Sequence, residues 1–263
     1  MIRLISIPVA LAGYIYGLWS IFAFTFFLIN AQKFSPALSV IFPYSIDDES
    51  TNFGQTGDKM MNNALFFGLW AFFHSLFARP GFKQILNLPK ELERPIYCFQ
   101  SGFFLHQALK NWQSMPVVLF EPPEMLKNFM IGGYVIGVLW LVSSTFAIDH
   151  FELFGLRQGL GMGNLLKFVP DGFVTILHYR LVRHPIMTGF FMMLFSIVEF
   201  TAGRVFIAAF IASYILFAIK FLEEPDLVSE IGPTYEEYMK RTPSFIPFLK
   251  SCPFSKKSLN KDE

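Results

Sequence analysis

The stretch Phe129–Ile148 runs for twenty residues without a charged side chain, and that run decides the surroundings in which the chain can fold. About 20 consecutive apolar residues wound as a helix match the hydrocarbon thickness of a bilayer. A helix at the surface of a soluble protein needs only one apolar stripe, so a run apolar on every face points to lipid. Leu4–Ile29 is a second such run. It follows Arg3 as a signal peptide core would, but it is about twice the length of a cleavable core and ends without a small-residue cleavage site, so it reads as a retained span.

Four shorter runs follow the same logic less completely. Met61–Phe77 is interrupted near its far end by His74, and Ile96–Leu109 carries Gln100, His106 and Gln107. Ile186–Val198 and Val205–Ile219 each fall short of a full crossing and are separated only by residues 199–204. They make sense as a helical hairpin, tilted or shielded by the other helices. With 53% hydrophobic residues, 34 Phe and 16% charged residues, the chain is too apolar for a soluble domain of 263 residues. The expected fold is all-α: a polytopic membrane bundle of about five or six transmembrane helices, ending in a helical hairpin and a cytosolic cofactor-binding segment.

Charge narrows the partners. A net charge of +1 leaves no concentrated basic face, which excludes nucleic acid and leaves the lipid bilayer. Cys98 and Cys252 show no CxxC or Cys/His spacing, so neither a disulfide framework nor a metal site is expected. Of the 21 Lys and Arg residues, only Lys33, Lys59, Lys110, Lys127 and Arg204 fall on the side opposite the N-terminus, the 78–95 loop, the 149–185 segment and the C-terminal tail. The positive-inside rule puts that basic side in the cytosol. Residues 1–148 then form the first helices, 149–250 a module that carries the chemistry, and 251–263 a charged tail that reads as disordered. The polar loop Asp47–Asp58, on the opposite side, carries no chemical signal.

Two motifs stand out. Tyr179–Gly189 reads YRLVRHPIMTG, and Lys220–Pro247 reads KFLEEPDLVSEIGPTYEEYMKRTPSFIP. The intervening apolar runs would return Arg183, His184, Glu223 and Glu224 to one membrane face. Ionisable groups crowded at the mouth of an apolar hairpin are costly to hold there and mark a site. His184, followed by Pro185, stands at the first turn of a helix, where it either anchors the hairpin or takes part in chemistry. Asp149–Gln158 (DHFELFGLRQ) is either an interfacial helix with its charges at the headgroups or one wall of a substrate chamber. His74 reads as an interhelical hydrogen bond and Glu93-Arg94 as a loop ion pair.

The RHPxxxG, Glu-Glu and YxxYxxxxPxxIP elements resemble the C-terminal module of the isoprenylcysteine carboxyl methyltransferase superfamily. HFELFGLRQ, HSLFARPGFK (His74–Lys83), ERPIY (Glu93–Tyr97) and PYSID (Pro43–Asp47) narrow the likeness to methanethiol S-methyltransferases and their nuclear-envelope relative nurim, over roughly residues 10–247. Two departures stand in the motifs: ERPIY where the enzymes more often have ERSTY, and Thr188 where an apolar residue is usual.

The resemblance implies S-adenosylmethionine as cofactor and a small thiol as acceptor, methanethiol giving dimethyl sulfide. It implies that Glu223 and Glu224 take the cofactor's ammonium or ribose hydroxyls, that Arg183 grips its carboxylate, that His184 and Pro185 bind it, and that Tyr235 and Tyr238 flank the adenine. Because only a thiolate attacks well, a base is wanted, and His150 and His184 are the candidates. Two other readings stay open: a nurim-like membrane protein without catalysis, and methylation of a lipid or prenylated-peptide carboxylate. The glutamate pair favours the enzyme. The membrane would be a bacterial inner membrane, or the endoplasmic reticulum or inner nuclear membrane of a eukaryote.

Overall fold

The computed structural model describes residues 2–249, apart from 34, 164, 166 and 168–174; the tail Ser251–Glu263 lies outside the described residues. Long helices dominate. α1 (Ile2–Leu28) is followed by the short α2 (Pro36–Ile41), then α3 (Thr56–Ala78), α4 (Pro80–Leu86) and α5 (Lys90–Lys110). Strand β1 (Val118–Phe120) leads to α6 (Glu124–Phe146), and α7 (His150–Leu153) and α8 (Leu156–Leu160) form a tight corner. After α9 (His178–Leu181) come α10 (Pro185–Phe195), β2 (Phe200–Thr201) and α11 (Ala202–Ala218). A π turn (Ile219–Glu223), α12 (Glu224–Ile231) and α13 (Pro233–Arg241) complete the order.

Among the described residues, three helices are long and apolar enough to cross a membrane: Arg3–Leu28, Glu124–Phe146 and the continuous Ala202–Ile231. Helices α3 and α5 have the length, 23 and 21 residues, but a more polar make-up; α10 has only 11. Large apolar side chains such as Ile15, Phe72, Phe129, Leu139 and Phe217 stand outward on these helices, as a lipid environment requires.

Small residues set the helix contacts. GYIYG (Gly13–Gly17) lets α1 lie against α5 so closely that a Cβ on Gly13 would strike the Pro95 carbonyl. GYVIG (Gly133–Gly137) does the same for α6 against α10, where a Cβ on Gly137 would come within 3.0 Å of the Gly189 carbonyl. This is the small-xxx-small packing of membrane helices, in which backbone proximity replaces a hydrophobic driving force. Helix α10 therefore packs chiefly on α6 and touches α11 only slightly, so its main partner is not the other arm of the expected hairpin. The fold also departs from all-α in one detail: β1 and β2 pair antiparallel, Val118 opposite Thr201.

At the end of the bundle bearing this ribbon, the PYSID segment turns inward. Asp47 accepts from Asn30 Nδ2 at 2.9 Å, Thr201 Oγ1 at 2.8 Å and Arg204 Nε at 2.9 Å. Asp47 and Arg204 are both buried. The loop read as chemically silent thus supplies a buried ion pair joining α11 to the segment after α1.

Candidate functional site

At the opposite end, the chain interrupts α11 with the π turn. Pro225 has no N–H to give to the carbonyl four residues earlier, and a π turn is one way a helix absorbs that loss. Arg79, just beyond α3, braces the turn by donating to the Leu222 carbonyl at 2.9 Å and pairing with Asp226 at 2.8 Å. Glu223 and Glu224 emerge from this point on successive residues.

Glu224 is the hub. Its Oε1 accepts from Arg183 Nε at 2.9 Å, Arg183 Nη2 at 2.7 Å and His184 Nε2 at 3.0 Å. The remaining Arg183 donors go to the Met239 carbonyl at 3.1 Å, the Thr242 carbonyl at 2.6 Å and Ser244 Oγ at 2.7 Å. A guanidinium has five N–H bonds, and all five are engaged. All of the Arg183 donors are thus committed to partners within the protein. Arg183 is a clamp between Glu224 and residues 239–244.

His184 lies between the two acids, with Nδ1 3.4 Å from Glu223 Oε1. Burial works against a charged ring there, but hydrogen bonds and charge from both glutamates outweigh it and hold the His184 pKa above the ordinary value. With both nitrogens turned to carboxylates, His184 is placed to orient them and has no lone pair free for a substrate proton. Glu223 is the open member: 43% of its side chain is exposed, against 15% for Glu224.

The PSFIP segment closes over this cluster. The backbone N–H groups of Arg183 and His184 donate to the Pro243 and Ser244 carbonyls at 2.8 and 3.1 Å. Thr188 Oγ1 donates to the Phe245 carbonyl at 2.8 Å, which gives the motif's threonine a purpose that an apolar residue could not serve. Tyr238 donates to the Tyr179 carbonyl at 2.6 Å, fastening α13 to α9, and burial pushes its phenol up to about 12. Tyr235 is buried beside it, ring centroids 5.8 Å apart. Pro185 opens α10 directly after His184.

His150 is held elsewhere. Thr145 Oγ1 donates to the Val142 carbonyl at 2.7 Å, so at 2.8 Å from His150 Nδ1 it accepts the ring proton; Nε2, 3.0 Å from the Tyr14 hydroxyl, then accepts. Burial lowers the His150 pKa, in keeping with a neutral ring. Both nitrogens are occupied, and no contact joins this ring to the Glu224 cluster among the described residues. Elsewhere in DHFELFGLRQ, Asp149 and Arg157 form a buried ion pair, and Gly155, at φ 76°, abuts the backbone of Arg94 and Pro95.

The structure brings Arg183, His184, Pro185, Glu223 and Glu224 of the motif reading together. The motif reading misses Arg79, Ser244 and Thr242, whose roles rest on an ion pair and on carbonyl and hydroxyl contacts that spacing does not encode. Among the described residues no cluster of His, Cys, Asp or Glu could hold a metal ion.

No family model and no solved structure matches the chain. Curated relatives do. Methanethiol S-methyltransferase 2 of Bradyrhizobium diazoefficiens is 35% identical over 91% of this chain and 91% of its own length. Methanethiol S-methyltransferase of Mycobacterium tuberculosis is 32% identical over 80% of this chain and 86% of its own. A nurim homolog of Drosophila melanogaster is 24% identical over 80% and 85%.

Proposed function

The chain belongs to the methanethiol S-methyltransferase family, and from that premise we propose that it is an integral-membrane enzyme moving a methyl group from S-adenosylmethionine to methanethiol, forming dimethyl sulfide. The observation that carries the reading is the Glu223–His184–Glu224–Arg183 cluster, which pairs one fully committed carboxylate with one open one. The donor set suits a cationic, hydroxyl-rich cofactor. Glu223 has lone pairs to spare for an ammonium or ribose hydroxyls, while Glu224 and His184 fix its position. Bound there, S-adenosylmethionine would supply an electrophilic methyl on a sulfonium centre.

The protein's part is alignment and exclusion of water. Arg183, through its contacts to residues 239–244, holds the PSFIP strap over His184. Tyr235 and Tyr238 form an aromatic wall beside it, which we assign to the cofactor's base. Charge is cancelled as thiolate meets sulfonium, so a dry pocket favours the transition state over separated ions. The excess of Lys and Arg at this end supports a cytosolic site under the positive-inside rule.

The scaffold reading is weaker, since the nurim relative is the more distant and an anchor needs no open carboxylate. Headspace gas chromatography of cells supplied with methanethiol tests the proposal. Dimethyl sulfide above the vector control is expected; none from a protein shown to be inserted in the membrane would overturn it.

A further inference from the structure

The chain has five histidines, and four of them have both ring nitrogens engaged. His74 meets Ser101 and Tyr97, His106 meets Tyr16 and Tyr44, and His150 and His184 are bonded as described. His178 is different. Its Nε2 lies 3.1 Å from Ser143 Oγ, which donates to the Leu139 carbonyl at 2.7 Å. Ser143 must therefore accept the Nε2 proton, which leaves the lone pair on Nδ1. That nitrogen is buried and has no hydrogen-bond partner among the described residues.

A second orphan lies against it. Trp140 Nε1 is a buried donor, also without a partner among the described residues. The two rings meet edge to face with centroids 4.5 Å apart. A buried acceptor and a buried donor left open side by side each carry a desolvation cost, and a small ligand that is both donor and acceptor relieves the two together. A thiol is such a ligand: S–H gives a proton, and sulfur weakly accepts one. The place also suits the chemistry. His178 opens α9, which Tyr238 fastens to α13 through the Tyr179 and Val182 carbonyls, and α9 runs straight into Arg183 and His184.

Resting on the methyl-transfer reading, we propose that Trp140 and His178 form the thiol subsite and that His178 Nδ1 is the general base. Nδ1 takes the S–H proton, and the freed sulfur pair forms the new S–CH3 bond. The donor's S–CH3 bond breaks with its electrons returning to the sulfonium sulfur, and the imidazolium releases its proton to water. Burial lowers the His178 pKa, so its lone pair is available at neutral pH.

The test compares methanethiol with methaneselenol, a selenol already ionised near neutral pH, on purified wild type, His178→Gln and Trp140→Phe. His178→Gln should slow thiol methylation by about a hundredfold, the low end of general-base effects, with the selenol rate near wild type and the Michaelis constant for the methyl donor unchanged. Trp140→Phe should raise the Michaelis constant for both acceptors. Equal losses on thiol and selenol in His178→Gln, or no loss on either, would overturn the base. An unchanged acceptor Michaelis constant in Trp140→Phe would overturn the subsite. A wild type that methylates neither acceptor would sink the methyl-transfer reading first, and the subsite with it.

Discussion

One oxygen of Glu224, Oε1, receives both Nε and Nη2 of Arg183, at 2.9 and 2.7 Å, while the neighbouring Glu223 takes no bond from that guanidinium. On the proposed function, adjacent glutamates divide structure and binding between them, and substitution should separate the two. Removing one partner of a buried ion pair costs about 3–5 kcal/mol, so Glu224→Gln should lower the melting temperature sharply. Glu223→Gln should leave melting near wild type and weaken S-adenosylmethionine binding by the roughly 1.5–3 kcal/mol of a charge-assisted hydrogen bond. Scanning fluorimetry and calorimetric titration distinguish the pair, and the reverse pattern would exchange their roles.

The two buried histidines should respond to pH in opposite senses. His184 has a raised pKa in the fold, so its stabilising effect is complete below the unfolded value of about 6.5 and fades as pH rises through the folded value. His150 has a lowered pKa, so its environment costs nothing above about 6.5 and destabilises the fold as acidification protonates the unfolded chain. Melting curves of wild type against His184→Gln should converge at alkaline pH. Those of wild type against His150→Gln should differ in slope on the acid side.

Asp47→Asn should destabilise the protein without touching methyl transfer. Asp47 accepts from Asn30, Thr201 and Arg204, and losing its charge strands a buried guanidinium at the end remote from Glu224. A loss of about 3 kcal/mol is expected, with unchanged Michaelis constants in whatever fraction folds.

Topology is directly measurable. A reporter fused after residue 249 should face the cytosol, and one inserted within Asp47–Asp58 should face the other side. Reporters on the same side would break the two-ended arrangement in which Arg183 and Arg204 lie at opposite ends.

Sequence showed the charged cluster because chemistry of that kind is dense in one-letter code: RHP, EEP and YxxY are close-set and unusual in an apolar chain. It also showed α1 and α6, whose hydrophobicity is continuous. It gave a poorer account of α10, because a packing preference set by Gly137 and Gly189 looks identical to any glycine in an apolar run. His178 was passed over for a related reason. What distinguishes it is the bond it lacks, and a missing partner has no spacing. For Arg183 the residue type suggests a carboxylate grip, while the carbonyls it bonds in the fold belong to residues some sixty positions away and leave no mark in the motif.

The strap over His184 has a consequence for how the protein is made. Residues 243–245 bind the backbone of Arg183 and His184 and the hydroxyl of Thr188, so these pieces of the site are made after every long helix described. Every long helix can enter the membrane before those residues leave the ribosome. A chain released just short of Pro243 would be inserted and helical, yet would have nothing to hold the backbone of Arg183 and His184. Quality control that inspects only membrane insertion would pass it. Completion of the Glu224 cluster is a property of residues 239–245.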